Sequence, residues 1–366
     1  MRLIAVGLPM LFWCGWIQAA DLSDIRLPDG FRIEIAVDDV TNARSMALGD
    51  QGTLFIGTRR SGRVYAVTDR DGDGRFDPPR VLLDGLRMPN GIAFRQGALY
   101  VAENHRIVRY DRIEQQLERP PEPAVLARLP TETHHGWRYL AFGPDERLYV
   151  AIGAPCNICD EPGFGTIVRM QADGSEREVM AAGVRNSVGF DWQPGSAVLW
   201  FSDNGRDWLG DDLPPDELNT APESGMHFGY PYCHAGEIPD PLYGRERPCD
   251  QFTPPALKLG AHVAALGVRF YIGEQFPADY QGQLFIAEHG SWNRTVPDGY
   301  RIGLARIEGD QVTSYTPFAE GWLSPDGVTG RPVDLLVMPD GSLLVSDDHA
   351  GVIYRISYNP GNPVRE

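Results

Sequence analysis

Apolar residues in this chain come in short runs that recur as one phrase: a strand, a tight Asp/Gly turn, a second strand and further apolar residues. The phrase reads MALGDQGTLFIG from Met46, GIAFRQGALYVAE from Gly91 and LAFGPDERLYVAIG from Leu140. It returns as VGFDWQPGSAVLWFSD from Val188, GQLFIAEHG after Gln281 and DLLVMPDGSLLVSDDHAGVIYRI from Asp334. Most copies begin roughly 45 to 50 residues apart, with one gap of about 95 between the fourth and fifth. A small antiparallel sheet cannot bury its apolar face alone, so repeated sheets must stack around a common axis. Six copies predict an all-β fold, a six-bladed β-propeller. Residues 21–40, with FRIEIAVDD, supply an opening strand placed to close the ring beside the final blade. Two excursions rich in Gly, Pro and polar residues, 203–262 and 288–330, are the expected positions of binding loops.

The bulk numbers narrow the reading. At 366 residues the repeats fill the chain evenly, which predicts a single propeller domain over 21–366. The first 20 residues, with one Arg, an apolar run and small residues before Asp21, read as a secretory signal peptide cleaved near Ala19 or Ala20. The run is short for a spanning helix, so the mature protein is expected to have no membrane span and a periplasmic or secreted location. A formal charge of −17 argues against a nucleic-acid partner, because phosphate binding relies on concentrated Lys and Arg. After cleavage Cys156, Cys159, Cys233 and Cys249 remain, an even number that predicts the local disulfides Cys156–Cys159 and Cys233–Cys249. A redox CxxC or a tetrathiolate zinc site is the alternative.

Several clusters carry candidate chemistry. DRDGDGRFD places Asp69, Asp71, Asp73 and Asp77 around two glycines, a pattern that suits Ca²⁺ or simply an exposed acidic turn. His134 and His135 precede a repeat strand; on extended backbone neighbours point oppositely, so one is expected in the axial pocket and the other bracing a loop. A neutral imidazole suits proton abstraction. Arg185 and Asn186 stand before the next repeat, EHGSWNR carries Glu288, His289, Trp292, Asn293 and Arg294, and Arg331, with Arg59 or Arg60, adds cations to the same rim. Arginines gathered in an acidic protein predict a ligand with several carboxylates. Gly205 and Arg206 can offer backbone carbonyls to calcium, with Asp216, Glu217 and Asn219 ordering the loop.

Taken together, HHGWRYLAFGPDERLYVAIG, AAGVRNSVGFDW, DNGRDWLGDDLPPDELN, FIAEHGSWNR and GRPVDLLVMPDGSLLVSDDHAGVIYRI resemble the PQQ-dependent soluble sugar dehydrogenases, with the closest similarity to the L-sorbosone dehydrogenase branch. The resemblance covers about residues 25–358. It implies pyrroloquinoline quinone (PQQ) over the axial opening, a Ca²⁺ on the carbonyls of Gly205 and Arg206, and His135 as the base that takes the hydroxyl proton. It implies that Arg185 and Asn186 contact the reacting quinone region, and that Arg331, Arg294 and Arg59 hold the cofactor. A sugar or sugar-derived aldehyde is the implied substrate, and an external quinone or cytochrome the implied electron acceptor. Val333 stands where the family has a second arginine, and Ala154 where the glucose-oxidising branch often has a carboxylate supporting the base. A calcium-dependent lactonase and a non-enzymatic extracellular binding propeller are the rival readings.

Overall fold

The recurring phrase builds six blades of four antiparallel strands in the computed structural model, which describes residues 22–361, the third blade being extended by a short parallel strand, Met226–His227; the signal-peptide expectation falls on residues outside these. Blade 1 runs from Ala43–Leu48 to Arg80–Leu83, blade 2 from Gly91–Arg95 to Ala124–Arg128, and blade 3 from Leu140–Phe142 to Glu178–Ala182. Blade 4 begins at Phe190–Trp192, blade 5 at Ala265–Phe270 and blade 6 at Pro332–Val337. Blade 6 takes its fourth strand from the other end of the chain: Phe31–Val37 pairs antiparallel with Val352–Tyr358, in register from Phe31 opposite Tyr358. The ring is thus closed by hydrogen bonds between the chain's first and last strands, as FRIEIAVDD predicted.

The structure corrects the two long excursions. Residues 203–262 hold the third and fourth strands of blade 4, Pro215–Ala221 and Leu257–Ala261, and 288–330 holds the third and fourth strands of blade 5, Arg301–Glu308 and Gln311–Glu320. The wide gap between the fourth and fifth repeats also hides blade 5's first strand, ALGVRF. PDELNTA escaped recognition because its acids and amide are polar yet buried: Asp216 is 1 %, Glu217 7 % and Asn219 0 % exposed. Asp216 and Glu217 accept from the backbone N–H groups of Gly205, Ala264 and Ala235, Asn219 donates to Glu217, and none of the three solvates a surface excursion.

The apolar core lies between neighbouring blades, where aromatic and β-branched residues of adjacent sheets interdigitate; Phe201, Tyr149 and Phe190 join blades 3 and 4, and Trp200, Phe270 and Leu284 join blades 4 and 5. The innermost strands approach closely enough to require glycine. A Cβ on Gly91 would collide with the carbonyl of Arg138, and one on Gly267 would lie 2.7 Å from the carbonyl of Val333. Along the axis the packing is polar. Arg269 donates to Leu335 O (3.0 Å) and Tyr139 Oη (3.1 Å) and pairs with Asp191, while Asp334 accepts from Met46 N at 2.9 Å. Residues from five blades thereby join inside the channel.

Candidate active site

Every blade delivers its first strand outward from one face, so that face gathers the segments leading into first strands and the turns joining second strands to third. Buried acids at the ends of second strands fix those lead-in segments. Glu103 accepts from Arg87 N (2.8 Å), Asp203 from the backbone N–H groups of Arg185 (2.8 Å) and Asn186 (2.6 Å), and Asp347 from Arg331 N (2.9 Å). The sequence signal was present as the acid closing LYVAE, LWFSD and LLVSD. Burial, then the neighbouring Glu217, pushes the Asp203 carboxyl well above the ordinary range, which is the cost of holding two backbone donors in the interior.

The gathered segments enclose a cavity of about 680 Å³, a size usual for small-molecule sites. Its lining includes Arg44, Arg59, Arg60, Arg185 and Arg331, against the carboxylates of Asp207 and Asp216. His134, His135, Trp137, Asn186, His262, His289, Trp292 and Asn293 complete the polar and aromatic wall.

His135 and His134 both line this cavity, with ring centroids 4.1 Å apart, which corrects the expectation that they diverge. The alternation rule needs extended backbone, whereas His135 has a φ of 46° in a left-handed turn. The His135 Nδ1 lies 2.8 Å from the carbonyl of Ala154. A carbonyl only accepts, so Nδ1 carries the proton and Nε2 is left as the basic nitrogen. Burial, then the charge of Arg185 and the neighbouring His134, holds the imidazole well below its usual pKa, so it is neutral at pH 7. The carboxylate missing at position 154 is therefore replaced, as an orienting group, by that residue's own backbone.

Arg185 is held by a complete set of acceptors. Its Nε donates to Asn157 O (2.9 Å), its Nη1 to Asn204 O (3.1 Å) and Gly205 O (2.8 Å), and its Nη2 to Asn157 Oδ1 (2.8 Å) and Asp207 Oδ2 (3.2 Å). Asn157 sits inside the Cys156–Cys159 disulfide loop, and Tyr230 Oη accepts from Cys159 N at 3.0 Å. Both predicted disulfides are present, the second joining Cys233 and Cys249. The cysteine pattern marks the disulfide but not Asn157 inside it, because the residue that Asn157 holds lies 28 positions away.

On the opposite wall Asp348 accepts from Arg44 Nη1 (3.0 Å) and from His289 Nε2 (2.7 Å), while Arg331 reaches His289 Nδ1 (3.4 Å), Gly290 O (3.1 Å) and Tyr300 Oη (3.2 Å). Burial works against the Asp348 carboxylate, yet His289 and Arg44 hold it well below the usual carboxylate range. Arg59 has no such partner among the described residues. Its guanidinium stacks on Trp137 at 3.9 Å, and burial followed by repulsion from Arg44 and Arg60 lowers its pKa to about 10.

Other predicted positions lie elsewhere. Arg294 does not line the cavity: it donates to Asp211 O (2.7 Å), Ala261 O (3.1 Å) and Val296 O (3.0 Å), tying two rim loops together. Asn293 takes the cavity-facing position instead. Arg206 likewise turns into the interior, pairing with Asp240 at 2.5 Å. Asp216, buried and pushed up to about 7 by that burial, accepts from Gly205 N (2.8 Å) and Ala264 N (2.7 Å) and so pins the loop. Val333 is buried in the apolar ring contact with Val188 and Leu266. Asp69, Asp71 and Asp73 bring ligand atoms within 4.8 Å of one another, but their turn joins the third and fourth strands of blade 1 and so lies on the far face. Asp77 is apart from that trio, accepting from Thr68 Oγ1 at 2.9 Å.

The donor set fits a flat polyanion. Arg59 Nε, Trp137 Nε1, Asn186 Oδ1 and Asn293 Oδ1 are buried in the cavity wall without a protein partner. Buried polar atoms normally have partners, so four unpartnered atoms on residues of one cavity wall, two donors and two acceptors, mark a place for a polar ligand. PQQ, a planar tricyclic tricarboxylate, matches the orphan donors and the crowded guanidinium groups. Calcium matches less well. The Gly205 carbonyl already accepts from Arg185, and the oxygens of Asp203 and Asp216 are taken by backbone N–H groups.

The profile of a domain of unknown function, DUF7133, matches residues 18–361. An uncharacterized protein of Borreliella burgdorferi is 33 % identical over 353 residues, covering 92 % of this chain and 91 % of that protein. The aldose sugar dehydrogenase YliI of Escherichia coli is 25 % identical over 283 residues, 68 % of each chain. Among solved structures, the holo PQQ domain of a pyranose dehydrogenase from Coprinopsis cinerea superposes with a TM-score of 0.78 at 19 % identity, over 91 % of this chain and 97 % of that one. The PQQ-bound aldose sugar dehydrogenase of Streptomyces coelicolor gives 0.65 at 19 %, over 91 % and 100 %. At these identities the two structures attest the shared fold.

Proposed function

The chain belongs to the DUF7133 family, and from its axial site we propose that it is a PQQ-dependent oxidoreductase of sugars or sugar-derived aldehydes. One observation carries the reading: a neutral, oriented His135 shares a cavity with Arg59, which lacks a carboxylate partner among the described residues and is repelled by Arg44 and Arg60, and with orphaned donors and acceptors. The sugar dehydrogenases among its relatives and structural neighbours support it.

PQQ, when bound, supplies a two-electron hydride acceptor. Arg59, Arg60 and Arg331 would hold its carboxylates, with Trp137 and Asn186 supplying a donor and an acceptor. His135 Nε2 takes the proton of the sugar hydroxyl as the hydride leaves the same carbon. Arg185, immobilised by its acceptors, keeps fixed positive charge beside the reacting oxygens; such preorganised charge costs no reorganisation during reaction. Oxidation of a hydrated aldehyde, as from L-sorbosone, yields an acid, and oxidation of a cyclic hemiacetal yields a lactone. Electrons then pass to an external quinone or cytochrome.

No step is routed through calcium: the Gly205 carbonyl accepts from Arg185, and the carboxylate oxygens of Asp203 and Asp216 accept from backbone N–H groups. A calcium ion on Asp69, Asp71 and Asp73 would brace a far-face turn and take no part in the reaction. The lactonase reading needs open carboxylates around a metal-activated water, and nothing in the cavity favours it. Two disulfides suit an oxidising compartment, so the proposed location is periplasmic or secreted. No helix among the described residues is long and apolar enough to cross a membrane.

Reconstitution tests the proposal. Purified protein loaded with PQQ should reduce an artificial acceptor in the presence of aldoses or sorbosone, and His135→Ala should not. Turnover that needs neither PQQ nor His135 would remove the assignment.

A further inference from the structure

Two tryptophans stand on the cavity rim with most of their surface in solvent: Trp208 is 67 % and Trp292 64 % exposed. Their rings meet at 88° with centroids 5.4 Å apart, forming a corner, and Trp292 also lines the cavity. Neither burial nor backbone preference accounts for Trp208, since it adopts a φ of 70°, a left-handed conformation costly for a bulky side chain. The corner is rigidly mounted. Beside it Asn293 donates to Asp207 Oδ1 (3.1 Å), Arg294 to Asp211 O (2.7 Å) and Thr295 N to Asp211 Oδ2 (2.9 Å). His262 Nε2 approaches Gly210 O at 2.9 Å from below.

We propose that the Trp208–Trp292 corner is a second saccharide subsite, which receives the sugar unit next to the one oxidised and makes oligosaccharides or glycosides preferred over free monosaccharides. This rests on the sugar-oxidoreductase reading of the axial cavity. A pyranose presents an apolar C–H face and a polar rim, so it stacks on one indole while its edge meets the other. The surroundings suit an uncharged ligand: Arg294 offsets Asp212 on the same rim, and the chain carries −17 overall, which opposes an anionic membrane surface. Continuity with the cavity places the occupant beside the substrate and not on a remote face.

The test separates the subsite from the redox chemistry by measuring binding in PQQ-free protein. Calorimetric titration with cellobiose, maltose and glucose should show the disaccharides binding the wild type more tightly. Trp292→Ala and Trp208→Gly should each weaken disaccharide binding about tenfold, in line with the worth of an aromatic contact, and Trp208→Gly, which lies outside the cavity wall, should leave glucose unchanged. Trp208→Gly relieves the left-handed position and so keeps the fold while removing the ring. In PQQ-loaded protein Trp208→Gly should raise KM for disaccharides without changing kcat. Equal affinities in wild type and variants overturn the subsite, as does an equal loss for glucose in Trp208→Gly. Tryptophan-dependent disaccharide binding without any acceptor reduction would instead keep the subsite and remove the redox reading.

Discussion

The Nδ1 of His135 lies 2.8 Å from the carbonyl oxygen of Ala154, and Ala154 N in turn donates to the carbonyl of Arg185 at 2.8 Å. One backbone unit thus fixes the imidazole tautomer and ties it to the neighbouring cation. A carbonyl cannot lose its charge character with pH as a carboxylate can, so this orientation persists in acid.

That geometry sets a pH profile. The acid limb of kcat/KM for the reconstituted protein should fall below pH 6.5, because burial lowers the pKa of His135. His135→Ala should reduce kcat/KM by roughly 10² to 10⁴ with PQQ affinity retained. The stability sign follows as well: a histidine depressed in the folded state contributes stability above its unfolded pKa, near 6.5, which is lost as pH falls through the folded value. Melting temperature measured against pH should therefore drop on the acid side less steeply in His135→Ala than in the wild type.

Arg59 is the second measurable position. Lacking a carboxylate partner, it should gain one when a polyanion binds, so Arg59→Ala should weaken PQQ binding by about 1.5 to 3 kcal/mol, roughly 10- to 100-fold. Titration of PQQ followed by its absorbance gives the value. Arg294→Ala, in contrast, should leave PQQ affinity within about twofold, because that guanidinium binds rim carbonyls.

The two disulfides should separate stability from function. Cys233–Cys249 closes a loop of separation 16 and should contribute about 3 kcal/mol, visible as a lower melting temperature in Cys233→Ser/Cys249→Ser. Cys156–Cys159 spans only three residues, so chain entropy gives it less. Its removal should chiefly release Asn157 and lower kcat, with a smaller thermal shift.

Asp216→Ala should destabilise the fold about as much as loss of the Cys233–Cys249 disulfide. It leaves the buried N–H groups of Gly205 and Ala264 without an acceptor, a cost on the order of 3 kcal/mol. Denaturant unfolding monitored by tryptophan fluorescence measures it.

The six-fold repetition, the ring closure by FRIEIAVDD and the local cysteine pairs were all readable along the chain, because each depends on short-range pattern: period-two burial, turn chemistry and nearby sulfurs. Reading failed where a strand is polar yet buried, as in PDELNTA, whose acids accept loop N–H groups that are distant in sequence.

What the sequence alone determined is the scaffold and the face on which chemistry collects, since blade order fixes where lead-in segments meet. Only the tertiary structure decided which side chains turn inward. Arg185 and Arg59 line the cavity while Arg294 and Arg206 do not, and His134 stays beside His135. Those choices depend on acceptors contributed by other blades and on a single left-handed backbone angle, and neither leaves a mark at the residue concerned.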